Sequence, residues 1–217
     1  MPALSHPWLD GRFPHVASLS PTQRLYTFLA ANTAAGSLDG VRRDWACLQP
    51  QHQHSGLEVI LQTHLFAGFP RAINAFAVAH EVGVDRSVMK QLASVDREDW
   101  AAEGESLCRT IYGDAYEPLR QRMAALHPHL DGWMVELGYG RVLSRPGLTP
   151  RERELCVIAV LAGQNVPQQL HSHLRGAQRV GATPEECATV LAQTETIWGA
   201  QAQAAAWAVW RHVQSAS

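Results

Sequence analysis

Two residues able to do acid–base chemistry stand on apolar helix faces in the last third of this chain. The stretch LTPRERELCVIAVLAGQNVPQQLHSHLRGAQRVGATPEECATVLAQ, from Leu148 to Gln193, reads as three consecutive helices. On the first, Glu154 shares a face with Ile158 and Leu161. A glutamate directed at a core is costly unless paired or protonated, so it is either functional or held in a structural ion pair. On the second, His173 shares a face with Leu170, Ala177 and Val180, and is either a satisfied core histidine or a proton carrier. His171 shares a face with Arg175 and Gln178 and is expected to face solvent. At about 1.5 Å per residue, Glu154 stands about 14 Å and His173 about 9 Å from the intervening turn. Side chains and a water can bridge that mismatch, and a Glu–His pair so placed can relay a proton near neutral pH.

Other polar residues carry weaker readings. His64 lies on the face of Leu57 and Ile60, just before Gly68, as a core or interface histidine or a substrate contact. Arg153, Arg175 and Arg179 either hold an anionic substrate or are solvated helix-surface charges. The His-x-His pairs at 52/54, 127/129 and 171/173 have no matching acid or cysteine cluster, so no metal site is expected. Cys47, Cys108, Cys156 and Cys187 form no CxxC and are expected as free thiols, with Cys156 an inert core residue.

The elements that position these residues are all helical. Ser20-Pro21-Thr22-Gln23, Thr149-Pro150-Arg151-Glu152 and Thr183-Pro184-Glu185-Glu186 are three helix starts with capping boxes. Helices are expected over about Leu38–Leu48, to a stop at Gly68, from Pro70 to Gly83, and from Pro167 to Gly181. The segments VMKQLASV, DWAAEGESLCRTIYG, EPLRQRMAALH and LDGWMVELGYGRVL also have helical spacing. No segment alternates apolar and polar residues long enough for a strand, so the fold class is all-α.

The two ends of the chain resemble each other. LSPTQRLYTFLAA parallels LTPRERELCVIAV at an offset of 129, and LQTHLFAGFPRAINAFAVAHEV parallels AQTETIWGAQAQAAAWAVWRHV at an offset of 131. Gly68 matches Gly199 and Phe76 matches Trp207. Two repeated units are expected, each burying the apolar face the other exposes. The expected organisation is an N-terminal arm over 1–18, a degenerate helical unit over 19–95, a connection over 96–147 and a site-bearing unit over 148–217. Leu25 stands in the place of Glu154 in the first unit, and Asp44 near that of His173.

Bulk properties exclude several classes. The 217 residues are 46% hydrophobic with formal net charge −2, which gives no electrostatic reason to expect nucleic acid or an anionic membrane as partner. No apolar run reaches the length of a membrane span, and MPALSHPWLDGRFPHVASLS does not have the pattern of a signal peptide. A soluble, cytoplasmic location is expected.

YGRVLSRPGLTPRERELCVIAVLA followed by QQLHSHLRGAQRVGATPEE resembles the carboxymuconolactone decarboxylase family, within the alkylhydroperoxidase D-like superfamily. GLEVILQTHLFAGFPRAINAFAVAHEVG resembles a helix pair of the same family. The resemblance implies an all-α alkylhydroperoxidase D-like fold with two units per chain, assembled as a homo-oligomer, trimer or hexamer. In the peroxidase branch a glutamate matches Glu154, a histidine matches His173, and the two CxxC cysteines fall on Val166 and Gln169. In the lactone-decarboxylase branch His173 is matched again, a serine is common at Glu154, and an acidic residue is usual at Gln169. The reading is a decarboxylase-like lyase, with no cofactor, acting on a small carboxylated lactone as its small-molecule substrate. His173 is the proton shuttle, Glu154 orients it or shares its proton, Gln169 binds substrate and Trp198 walls the pocket. The alternatives are a thiol peroxidase or reductase that uses Cys47 or Cys187, and a non-catalytic oligomeric binding protein.

Overall fold

The computed structural model describes residues 18–93 and 99–215. The arm expected over 1–18, except Ser18, and the unit boundary at 95/96 lie outside the described residues. Among the described residues eleven α-helices follow one another: α1 (Pro21–Ala35), α2 (Leu38–Cys47), α3 (Gln53–Ala67), α4 (Phe69–Val82), α5 (Arg86–Ala93), α6 (Trp100–Tyr112), α7 (Tyr116–Leu126), α8 (Leu130–Trp133), α9 (Pro150–Leu161), α10 (Pro167–Arg179) and α11 (Pro184–Ser215). α8 runs on directly as a π-helix, Met134–Leu143. No strand occurs among the described residues, so the fold is all-α. No helix of these residues is long and apolar enough to cross a membrane.

Local chemistry sets the helix starts. Ser20 and Gln23 close the first capping box, Thr149 and Glu152 the second, and Thr183 and Glu186 the third, each satisfying two amides that the first turn would leave unpaired. Gln23 Nε2 also donates to Glu152 Oε1 at 3.4 Å, tying the starts of α1 and α9 together. Gly68 (φ 81, ψ 160) turns α3 into α4. Gly199 (φ 78, ψ 166) breaks α11 with almost the same backbone geometry. Both sit at positive φ, where a side chain would be strained.

α9 is the central element. Every residue from Arg153 to Leu161 is buried, as its all-round apolar composition requires. It packs on α1, α3, α10 and α11. Cys156 and Val160 join one apolar core, built mainly from α1 to α5, whereas Leu155, Val157, Ile158 and Leu161 join a second with α10 and α11. Each buried leucine or isoleucine contributes about 1.5–3 kcal/mol, so α9 is fixed between two cores.

Arg153 departs from both sequence readings. It is 2% exposed and neither solvated nor free to hold a substrate. Its Nη2 donates to Glu58 Oε2 at 3.1 Å and to the Arg145 carbonyl at 2.8 Å, and its Nη1 donates to Gln62 Oε1 at 3.0 Å. Arg145 pairs with the same carboxylate at 2.9 Å. The group locks α3, the turn before α9, and α9 itself.

A third, smaller core lies between α6, α7 and the π-helix. Here two backbones touch. A Cβ on Gly104 of α6 would stand 2.2 Å from the Val135 carbonyl oxygen, and one on Gly140 would stand 2.0 Å from that of Trp100. Only glycine permits this approach, which brings Tyr112 of α6 beside Tyr139 of the π-helix. α6 also packs on α10, so this third core lies against the helix that carries His173.

Candidate functional site

Glu154 and His173 meet directly. His173 Nδ1 and Glu154 Oε2 are 2.9 Å apart, without the bridging water that the axial mismatch suggested. Both are buried, His173 at 5% and Glu154 at 1% exposure. The approach depends on Gly176, one turn beyond His173, because a Cβ there would stand 3.0 Å from Glu154 Oε2 and 2.7 Å from Ile111 Cγ2. An ionised carboxylate only accepts, so Nδ1 carries the proton that it donates to Glu154. That leaves Nε2 as the ring nitrogen able to exchange a proton with a substrate. The other carboxylate oxygen, Glu154 Oε1, is buried without a hydrogen-bond partner.

His173 lines a cavity of about 1110 Å³. α10 supplies Gln169, His171, Ser172 and His173 to its wall, and α3 supplies Leu65 and Phe66. α6, α7 and the α8–π-helix segment supply Tyr112, Leu119, Arg122, Met123, Leu126, Trp133, Leu137 and Tyr139 among others, and the end of α11 supplies Val209 and His212. The Phe66 ring meets the His173 imidazole edge-on at 5.5 Å, which restricts its orientation.

The two tyrosines form a second polar pair. Tyr139 donates its hydroxyl to that of Tyr112 at 2.9 Å. Burial holds both phenols above their ordinary range, and the negative charge of Glu154 pushes each in the same direction. They therefore keep their protons at neutral pH and act as hydrogen-bond donors, not bases. Neither was singled out from the sequence. Tyr139 stands inside the YGRVL run that helps carry the family resemblance, but nothing local marks it as facing Tyr112 across 27 positions.

The structure brings only some of the expected site residues together. Glu154, His173 and Gln169 gather at or beside the cavity. Trp198 is not among the lining residues. Its indole Nε1 donates to the Ala159 carbonyl at 2.9 Å, and its ring covers Gly163, so it braces α9 against α11 and does not wall this pocket. His64 is also absent from the lining. Its Nδ1 bonds the Leu61 carbonyl at 2.5 Å and its ring stacks on Phe69 at 4.6 Å. His171, expected to face solvent, lines the cavity half-buried with its ring 5.5 Å from that of His212. Burial, then Arg175, then His212 hold its imidazole below the ordinary range.

The cysteines do not supply a nucleophile here. None of the four is in a disulfide, and none lines the cavity. Burial pushes the Cys108 and Cys187 thiols up to about 12 and raises those of Cys47 and Cys156, so each is a neutral thiol at physiological pH. Among the described residues, no group of three or more His, Cys, Asp or Glu side chains is placed to hold a metal ion.

Comparison with known proteins bears on the same segment. Residues 128–212 match the carboxymuconolactone decarboxylase family. This is the family the sequence resembles, and the matched region includes the π-helix, α9, α10 and most of α11, hence Tyr139, Glu154, His173 and His212. The chain is also similar to "Peroxisomal protein 2" of Schizosaccharomyces pombe, 29% identical over 132 residues. That alignment covers 59% of this chain and 62% of the relative's length, so the chain spans less than two thirds of that protein.

Proposed function

We propose that this carboxymuconolactone decarboxylase-like protein carries out acid–base chemistry, without a cofactor, on a carboxylated lactone, with decarboxylation as the reaction. The observation that carries the reading is the 2.9 Å contact between His173 Nδ1 and Glu154 Oε2, on a histidine that lines a cavity. The C–C bond to the departing carboxylate breaks and releases carbon dioxide. The electron pair passes into the unsaturated lactone carbonyl, and the resulting enolate takes a proton at carbon from His173 Nε2. Glu154 holds the imidazole in one tautomer and stabilises its protonated form. Solvent then returns the proton. Tyr112 and Gln169 are the hydrogen-bond donors for the charge that develops on the carbonyl oxygen.

The test is turnover of a carboxylated lactone by His173→Ala and by wild type. Full activity in the variant removes the assignment. A thiol peroxidase is the weaker reading, because the cavity presents no thiol and each cysteine is held neutral.

The matching geometry at Gly68 and Gly199 and the paired caps of α1 and α9 support two repeated units, with the site only in the second. Assembly as a trimer or hexamer is part of the proposal. The exposed Phe69 and Ile73, at 65% and 60%, supply an apolar surface for it, and sedimentation velocity measures it. The compartment is proposed as cytoplasmic. The printed name of the fission-yeast relative makes the peroxisome the competing location, which imaging of a fluorescent fusion separates.

A further inference from the structure

The cavity that holds His173 is too large and too apolar for a small polyanion alone. Its volume of about 1110 Å³ exceeds the roughly 300–1,000 Å³ of a site for a drug-sized ligand. Apolar side chains from several helices form most of its wall, and the outer part carries Leu126, Trp133 and Leu137 at 68%, 59% and 43% exposure. A soluble protein rarely leaves such a strip open without a ligand or partner to cover it.

The charge of the wall narrows the choice. Among the lining residues there is no carboxylate. Arg122 is the one guanidinium or ammonium group, and it makes no ion pair among the described residues. His171, His173 and His212 are the remaining titratable nitrogens. The wall therefore matches a ligand with one negative charge and a long apolar body, whereas a compact di- or tricarboxylate would leave most of its charge unmatched.

We propose that the substrate class is an amphipathic monocarboxylate, a lactone that carries one carboxylate and a long apolar chain. Its polar end lies by His173, Tyr112 and Arg122, and its apolar body runs along Leu126, Trp133 and Leu137. This rests on the acid–base reading for the reaction but not for the binding. The wall accommodates a second copy of the chain less well, because the strip borders a concave cavity that a flat apolar face would leave unfilled.

The test uses sodium dodecanoate as the charged probe and dodecanol as its neutral counterpart. Binding is followed by isothermal titration below the critical micelle concentration, with displacement of 1-anilinonaphthalene-8-sulfonate as a second readout. The expected result is saturable binding of dodecanoate at one molecule per chain. Arg122→Gln weakens dodecanoate about three- to fivefold, as suits an exposed cation, and leaves dodecanol unchanged. Trp133→Ala and Leu137→Gln, both at exposed positions that do not support the core, weaken both probes about tenfold.

Absence of saturable dodecanoate binding, with turnover of a small lactone intact, overturns the amphipathic substrate and leaves the reaction standing. Dodecanoate binding together with full turnover by His173→Ala has the opposite meaning. Should Trp133→Ala change the sedimentation coefficient but not the affinity for dodecanoate, the strip is an interface between copies and the proposal fails.

Discussion

Gly176 is the residue that allows Glu154 to reach His173. It lies three positions after the histidine on α10, and a Cβ at that point would stand 3.0 Å from Glu154 Oε2. The carboxylate passes over bare backbone to meet the ring. The contact between α9 and α10 on which the proposed chemistry rests thus depends on a residue with no chemistry of its own.

Gly176→Ala is expected to displace Glu154 and to lower turnover more than stability. The new methyl meets the buried Ile111 at 2.7 Å, so overpacking costs about 1–3 kcal/mol. The helical preference of alanine over glycine offsets about 0.8–1 kcal/mol of that. Urea unfolding with assay of the same samples checks it. A variant of wild-type activity would show that the Glu154–His173 contact is not needed in its present geometry.

Glu154→Gln keeps the shape but changes the proton logic. The new amide can donate to Nδ1, and, being neutral, it no longer stabilises the doubly protonated imidazole that delivers a proton from Nε2. Turnover is expected to fall by about 10² or more, by analogy with the orienting carboxylates of catalytic histidines. Substrate affinity changes little, since Glu154 is not among the cavity-lining residues. Steady-state kinetics that show the loss in KM, with kcat retained, would contradict the orienting role.

The thiols give an independent check on the competing peroxidase chemistry. Cys108, Cys156 and Cys187 are buried and Cys47 is half-buried. A maleimide at pH 7 is expected to label the native chain slowly at Cys47 and not at the other three, and all four after denaturation. Peroxide should leave the intact mass unchanged. A disulfide or sulfenic acid that forms at Cys187 or Cys108 in the native state would restore the thiol reading.

His171 makes stability depend on pH. Its folded-state value lies below the ordinary 6.5, so below about pH 6.5 the unfolded chain binds a proton that the native chain refuses. The stability associated with neutral His171 is therefore present above about pH 6.5 and is lost as pH falls toward the depressed folded value. His171→Gln should make urea midpoints between pH 6.5 and 5 less dependent on pH than those of wild type. An unchanged slope would mean that the ring is not held neutral against His212 and Arg175.

Much of the helical framework was legible in the sequence because it is local. A serine or threonine followed by proline and then a glutamine or glutamate satisfies its own helix start, and Gly68 and Gly199 stop helices through a backbone conformation that the neighbours do not have to supply. The apolar faces of α9 and α10 follow from a period of 3.6 residues, and with them the inward direction of Glu154 and His173. That is how far neighbour-to-neighbour physics reaches. Only the tertiary structure decided that these two side chains bond directly, that Arg153 is spent on Glu58 across 95 positions, that Trp198 braces Ala159, and that Tyr112 and Tyr139 close one side of the cavity. Those relations depend on how helices cross, and on the points where glycine lets backbones touch. Such choices are made by packing between distant segments and leave no periodic mark along the chain.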